Sequence, residues 1–257
     1  MLGLGVGFYK LGSTNTPMSP RSILAINEQN ILFDGTNDYV DLDCVKGSIE
    51  LGNGTISVWV RPSEDNATTS VVSIAADDNN MIEILYVGST GKFRGVYRGG
   101  GSEKTIDTSA ATVGSWTHVV MTWDTTADTV TMYRDGNATT VGSLDTFSET
   151  PSIANVYLGA KTDSGGGGFF EGKLDEIAFS QTVLTVIQIN EVFDNYSIGF
   201  TGLATYSRLT HYYTCELVPY ASPYTHGILS QGSATTVCEG TLENGAVRTI
   251  TDLLPPP

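Results

Sequence analysis

The chain has 257 residues and a formal net charge of −15, and only 16% of its residues are charged. So acidic a surface repels duplex nucleic acid, and no run of Lys or Arg offers a local exception, so nucleic acid is excluded as a partner. Low charge with many small and β-branched residues suits short strands and tight turns better than long solvated helices, in one large all-β domain or two smaller ones.

Residues 1–29 open with "MLGLGVGFYKLG", which has no basic leader, no long apolar core and no small-residue cleavage site, and so reads as something other than a signal peptide. Apolar side chains alternate with glycine there, so an extended chain is apolar on one face and bare on the other. Two readings stand: an arm that lies along a neighbour or adds to a sheet edge, or a flexible terminus. "TNTPMSPRS" then acts as a linker.

Residues 30–195 are dense in period-2 patterns. "GTISVWVRP", "SVVSIAA", "MIEILYV" and "KFRGVYR" are strand-length runs bounded by Asp, Asn or Gly. "SWTHVVMTWD" and "DTVTMYRDGN" predict a hairpin around "DTTAD", with "RDGN" as the next turn. "NVYLGA" and "GKLDEIAFS" complete the set. The one helical signal is "TVLTVIQINEVFDN", with Val183, Val186, Ile187 and Ile189 or Asn190 on one side. Many strands separated by regular turns predict an antiparallel sandwich. Residues 196–257 are rich in tyrosine (Tyr206, Tyr212, Tyr213, Tyr220, Tyr224) and poor in charge. They read either as an interface segment or as a small β appendage packed on the sandwich. No stretch is long and apolar enough to cross a bilayer as a helix.

The cysteines, Cys44, Cys215 and Cys238, are too few and too scattered for a disulfide framework or a zinc site. Either Cys215 pairs with Cys238 and leaves Cys44 buried on a strand, or all three are inert thiols. Trp59, Trp116 and Trp123 fall in strand-like runs and are expected in the core. His118 alternates with Trp116 and Val120 and has no second histidine nearby, which predicts a packed, hydrogen-bonded ring rather than a ligand or base.

In order and spacing, "ILFDGTNDYVDL", "GTISVWVRP", "GSWTHVVMTWD", "VTMYRDGN", "VYLGA" and "FEGKLDEIAFS" resemble the laminin G-like domain of the concanavalin A-like lectin/glucanase superfamily. The resemblance spans residues 30–195 and leaves 1–29 and 196–257 uncovered. It implies an antiparallel jelly-roll sandwich of two sheets, one of them concave, with a short closing helix after "AFS".

Some members of that superfamily hydrolyse β-glucans with two glutamates flanking an aspartate on one strand face, since acid and nucleophile must stand about 5 Å apart. Here "MIEILYV" offers a lone Glu83, and Asp175 and Glu176 are adjacent and so expected on opposite faces. G-x-S-x-G is absent, and "SGGGGFF" lacks the Lys and helix of a phosphate loop. No enzyme is expected. The resemblance also implies rim calcium held by loop carboxylates and carbonyls. First and last strands should be neighbours, which would bring Asp34 or Asp38 of "FDGTNDYV" near Asp175 or Glu176 of "GKLDEIAF". The competing reading of Asp34-Gly35 is a plain turn, and "AADDNN" at 75–80 is an equally turn-like acidic loop. Asp41 and Asp43 alternate with Val40 and Leu42 and so project from a strand's solvent face.

Two functions follow. The first is a non-enzymatic structural and adhesive protein of a virion surface, such as a bacteriophage capsid decoration or tail appendage. It would dock other virion proteins through the arm and tail, act as a homo-oligomer and gain avidity for cell-surface glycans. The second is a free, extracellular carbohydrate-binding lectin module, with or without calcium.

Overall fold

The computed structural model describes residues 30–65, 67–142, 144, 152–161, 167–194, 208–213, 215, 227–229, 239–244 and 246–249. In chain order the strands are β1 (Asn30–Asp34), β2 (Tyr39–Asp41), β3 (Asn53–Pro62), β4 (Thr68–Asp77), β5 (Asn80–Val87), β6 (Lys92–Gly99), β7 (Ser102–Ala110) and β8 (Thr117–Asp124). They continue as β9 (Thr129–Arg134), β10 (Asn137–Gly142), β11 (Asn155–Leu158), β12 (Glu171–Ser180), β13 (His211–Tyr213), β14 (Gly227–Leu229), β15 (Glu239–Glu243) and β16 (Val247–Thr249). One helix, α1 (Val186–Asp194), lies between β12 and β13.

Two antiparallel sheets form the sandwich. The first runs β10-β9-β8-β3-β12-β1-β16, with β13 also on β12; the second runs β14-β15-β2-β11-β4-β5-β6-β7. The all-β sandwich expected from the patterning is present. The described strands beyond residue 208 belong to these sheets: β13 pairs with β12, β15 with β2 and β16 with β1. Two strands absent from the sequence reading are β7, "SEKTIDTSA", and β10, "NATTVG". Along β7 only Ile106 and Thr108 are buried, so its apolar alternation is thin.

Alternation decides which side chains turn inward. Ile56, Val58 and Val60 of β3 and Val119, Met121 and Trp123 of β8 meet Ile82, Ile84 and Tyr86 of β5 and Phe93 and Tyr97 of β6 in one interior cluster. Each aliphatic or Phe side chain so buried contributes roughly 1.5–3 kcal/mol. Trp123 is interior as expected, and its indole N–H donates to the Glu50 carbonyl at 3.2 Å. Trp59 is buried as expected, but with half-buried Trp116 it packs in a separate cluster on the outer side of the first sheet beside Phe193 of α1, because Trp59 is out of phase with the inward-facing Val58 and Val60.

That outer side is roofed. Ile189 and Val192 of α1 pack with Leu184, Leu209 and Tyr212 onto Val120 and Ala178. The Thr185 N–H donates to Gln188 Oε1 at 2.8 Å, and the Gln188 N–H returns to Thr185 Oγ1 at 3.4 Å, a reciprocal cap at the helix start. The helix is where the pattern put it, but its buried side is different: Val183, Val186 and Ile187 are exposed, Ile187 at 77%.

Strand β12 is central. One edge pairs with β3 throughout; the other pairs with β1 over its first half and with β13 over its second. The register against β3 slips between Asp175 and Ala178, so β12 carries an extra residue there. Leu174, Ile177 and Phe179 all reach the interior, although their spacing of three then two is out of phase for a regular strand. The bulge corrects the phase. Asp175 and Glu176 therefore do not simply alternate between faces: Glu176 takes φ +49°, and its N–H donates to Asp175 Oδ1 at 2.8 Å.

Gly172, early in the same strand, has φ +147°, and a Cβ there would lie 2.3 Å from the Arg61 carbonyl oxygen and 2.8 Å from the Phe170 ring. Both obstacles are fixed, one being backbone of the neighbouring strand. Gly172→Ala is expected to cost at least about 2 kcal/mol, read as a lower urea midpoint at unchanged slope. A midpoint equal to wild type would contradict this packing.

Candidate functional site

The four carboxylates expected around a calcium ion do not converge. Asp34 and Asp38 form a turn: Asp34 Oδ1 accepts the Thr36 N–H at 2.8 Å, Asp38 Oδ2 accepts the Asp34 N–H at 3.0 Å, and Gly35 takes φ +74°. Asp34 pairs with Glu171, whereas Asp175 pairs with Trp59 on β12's other side. Four residues of strand separate Glu171 from Asp175, roughly 13 Å at strand rise. First and last strands are neighbours as expected, but the antiparallel register puts the two acidic pairs at different heights. Among the described residues no group of three or more His, Cys, Asp and Glu is placed to hold a metal. The Asp77–Asn80 stretch of "AADDNN" is the β4–β5 turn, with Asp77 Oδ1 accepting the Asn79 N–H at 2.8 Å. Asp38 is 3% exposed; burial pushes its carboxyl up, a backbone N–H from Asp34 opposes this, and the Asp34 charge adds to it.

A second polar group is buried beneath α1. Glu176 accepts the Tyr212 hydroxyl across the β12–β13 pair. Ser57 Oγ and His118 Nε2 are 2.8 Å apart, and the His118 ring stacks on Phe193 at 6.0 Å and 21°. Trp59 stacks on Phe193 at 5.9 Å and 15° and lies 5.2 Å from the His118 ring, so the three rings contact one another. All of Ser57, Trp59, His118, Asp175, Glu176 and Tyr212 are at most 3% exposed. No substrate reaches such a Ser–His pair. The His118 ring is packed and hydrogen-bonded through Nε2, as expected, while its Nδ1 is buried without a partner among the described residues.

The outer face of the second sheet is buried along its centre and more open at its flanks. Its central row, Tyr157, Ser73, Glu83 and Val96, is set by the β11–β4, β4–β5 and β5–β6 registers. Ser73 Oγ donates to Glu83 Oε1 at 3.1 Å, and both are buried. On the β7 side, Arg94 grips Asp107 with two bonds of 2.6 and 3.0 Å. On the β2 side, Val40 and Leu158 face inward, which turns Tyr39, Asp41 and Tyr157 outward. The Tyr39 and Tyr157 rings lie 5.0 Å apart at 43°, both half-buried.

Carboxylates surround this ring pair. Burial raises the Tyr39 phenol, and the Glu243 and Asp41 charges raise it further; Tyr157 is raised by burial and then by Asp43, Asp41 and Glu243. Asp43 itself leaves the strand, contrary to the alternation argument. The chain turns at Leu42 into a 3-10 helix over Asp43–Ser48, and Asp43 Oδ1 accepts the Val156 N–H at 2.9 Å. The same turn changes the reading of Cys44: it is exposed, sits in that helix and is disulfide-bonded, while Cys215 is a buried thiol. Neither the proposed Cys215–Cys238 pair nor three inert thiols fits. Beyond the helix, a groove of about 590 Å³ is lined by Lys46, Ile49, Glu50, Leu51 and Ile153, with no aromatic platform.

A family model described as the concanavalin A-like lectin/glucanases superfamily matches residues 34–190. The chain belongs to that superfamily. Its sandwich is similar to a heptameric SAP-like pentraxin from Limulus polyphemus (17% identity, 88% of this chain and 96% of that one, TM-score 0.59). It is also similar to the CBM40 of a Ruminococcus gnavus IT-sialidase bound to α2,3 sialyllactose (20% identity, 65% and 98%, TM-score 0.55). A third likeness is domain 4 of an extracellular arabinanase from Geobacillus stearothermophilus in complex with arabinotriose (20% identity, 63% and 75%, TM-score 0.51). At these identities the likeness is one of fold. No curated protein matches the chain.

Within this superfamily member, the tyrosine pair is the feature that motif-reading passed over. A signal was available: the alternation that put Asp41 on the wet face of "DYVDLD" puts Tyr39 there too, and "NVYLGA" places Tyr157 opposite its two inward neighbours.

His118 generates a pH prediction. Burial pushes its imidazole down to about 3. An unfolded histidine titrates near 6.5, so below that pH the unfolded chain takes up a proton that the folded chain refuses, and stability falls. The loss should begin near pH 6.5 and continue toward pH 3, at most about 1.4 kcal/mol per pH unit from this residue. Urea melts at pH 7 and pH 4.5 should differ less in His118→Gln than in wild type. An equal difference in both would contradict it.

Proposed function

We propose that this chain is a non-enzymatic glycan-binding sandwich whose ligand lies on the outer face of the second sheet, over Tyr39 and Tyr157. The observation that carries the reading is the half-buried tyrosine pair at 5.0 Å flanked by Asp41 and Glu243. A sugar ring offers an apolar C–H face and a rim of hydroxyls. The phenol rings take the first, and the carboxylates accept hydrogen bonds from the second, the mix of apolar surface and few placed polar groups that small-ligand sites use. The outer face of the first sheet is unsuited to this role because α1 roofs it. The neighbouring charges of Asp41, Asp43 and Glu243 disfavour an anionic sugar, so the preferred class is a neutral oligosaccharide.

Catalysis is left out of the reading because Glu83, the glutamate that the sequence offered, is buried and accepts a hydrogen bond from Ser73. The disulfide at Cys44 favours an oxidising, extracellular or surface setting. Display on a virion is the finer proposal. It rests on residues 1–29, which lie outside the described residues, and its test is whether a chain lacking them still enters particles.

A glycan panel containing arabinotriose and α2,3 sialyllactose tests the reading. Neutral members should be retained over sialylated ones, and Tyr39→Ala with Tyr157→Ala should lower retention about tenfold or more, with circular dichroism unchanged. Retention by the double variant equal to wild type would remove the tyrosines from the site. Chelation should leave retention unchanged, and a chelator-sensitive signal would bring calcium back.

A further inference from the structure

We infer that Glu64, Glu171 and the Tyr86 hydroxyl bind a hard divalent cation, calcium by preference, in a cavity at one end of the sandwich. The cavity is about 70 Å³, and Gly35, Ala67, Thr69 and Phe169 complete its wall. That volume takes one ion with a few of its waters. The site shares no residue with the tyrosine flank, and its test needs no glycan.

Strand pairing brings these groups together from both sheets. Strand β3 runs antiparallel to β12 as far as Pro62↔Gly172, and the Ser63 N–H donates to the Glu171 carbonyl at 3.0 Å. Glu64 follows directly beside the start of β12, where the chain leaves the first sheet for the second. The far end of this crossing is fixed by the Gly88 N–H, which donates to the Ala67 carbonyl at 2.9 Å. Tyr86 comes from the second sheet, opposite Thr69 in the β4–β5 pair. On the other edge of β12, Asp34 pairs with Glu171, and a Cβ on the next residue, Gly35, would stand 3.1 Å from Glu171 Oε2. The bare glycine leaves that carboxylate its room over the turn.

Two independent observations point to a cation. Burial raises the Glu171 carboxyl, and the Glu64 charge, a hydrogen bond with Glu64 and the Asp34 charge raise it further. Ionised carboxylates are acceptors only, so two of them meet around a proton or around a cation. Separately, Tyr86 is 2% exposed and its hydroxyl has no hydrogen-bond partner among the described residues. Buried hydroxyls are normally satisfied, and Tyr86 lines the same cavity as the two carboxylates. A shared proton would answer the carboxylates and leave the hydroxyl orphaned. A cation with its waters answers both. Burial raises the Tyr86 phenol and the Asp65 charge raises it further, so it stays protonated and serves as a neutral oxygen. Glu64 is exposed and Glu171 half-buried, which leaves the ion a way in from solvent. Oxygens drawn from three separate segments suit the adaptable shell of calcium better than the rigid octahedron of magnesium. Two carboxylates and a phenol make the donor set, which is why no group of three or more His, Cys, Asp and Glu marks it among the described residues.

Urea melts of the full chain, in calcium and in chelator, test the site. Calcium should raise the wild-type midpoint, and magnesium at the same concentration should raise it less. Glu64→Gln with Glu171→Gln should weaken calcium binding about tenfold or more by calorimetry and remove the midpoint shift. In chelator this double variant should be at least as stable as wild type, because the repulsion between the two carboxylates is gone. Tyr86→Phe keeps the ring and should also weaken calcium binding, while melting in chelator no earlier than wild type. Terbium, a calcium stand-in excited through a neighbouring tyrosine, should luminesce with wild type and be displaced by calcium. No calcium shift and no terbium signal in wild type, or a shift that survives in the double variant, would overturn the site. A wild-type midpoint that ignores calcium and rises on acidification would assign the pair to a shared proton and overturn it equally. An equal response to magnesium would overturn the preference for calcium.

Discussion

The bulge in β12 is the constraint on which the molecule depends. Without an extra residue at Asp175–Glu176, Leu174 and the pair Ile177–Phe179 would point to opposite sides of the sheet. A one-residue slip turns every later side chain over. The bulge is stabilised locally, since Asp175 accepts the Glu176 N–H that has left the ladder. It is also where the strand's outer edge changes partner from β1 to β13. The Tyr212 hydroxyl, carried by β13, meets Glu176 there, so the acidic pair that resembled half a metal site is a device for joining two partial strands to one long one.

From that handover follows the difference between the two outer faces. Strand β13 brings Tyr212, and with Leu209 and α1 it closes over Val120 and Ala178. The price is a layer of polar groups under the helix, and Ser57, His118, Asp175 and Glu176 are packed there with partners. The second sheet is buried along the centre of its outer face and keeps half-buried aromatic and acidic side chains at its β15–β2–β11 flank. The proposed ligand site lies at that flank, since the outer face of the first sheet is occupied by its own roof.

The sandwich was legible because most strands carry a clean period of two, as in "ISVWV" and "HVVMTW". Strands β7 and β10 were not, being polar edge or near-edge strands whose existence depends on neighbours rather than on pattern. The carboxylates misled for a definable reason. "FDGTNDYV" and "GKLDEIAF" do lie on adjacent strands, but adjacency does not fix height, and the register was invisible until the pairing was known. Cys44 was assigned to a strand because alternation was extended one turn too far, past Leu42. Tyr39 and Tyr157 are 118 positions apart in the chain, and only the β2–β11 pairing brings their rings together.

The central claim is that sugar docks on the tyrosine flank of the second sheet. The most direct measurement is a titration, followed by NMR of tyrosine ring resonances, with the neutral oligosaccharide most strongly retained on the panel. The account predicts saturable shifts of Tyr39 and Tyr157 with the same dissociation constant, while the ring of the interior Tyr97 stays fixed. Binding that leaves both rings unmoved, and shifts instead residues of the Lys46–Ile153 groove, would contradict it.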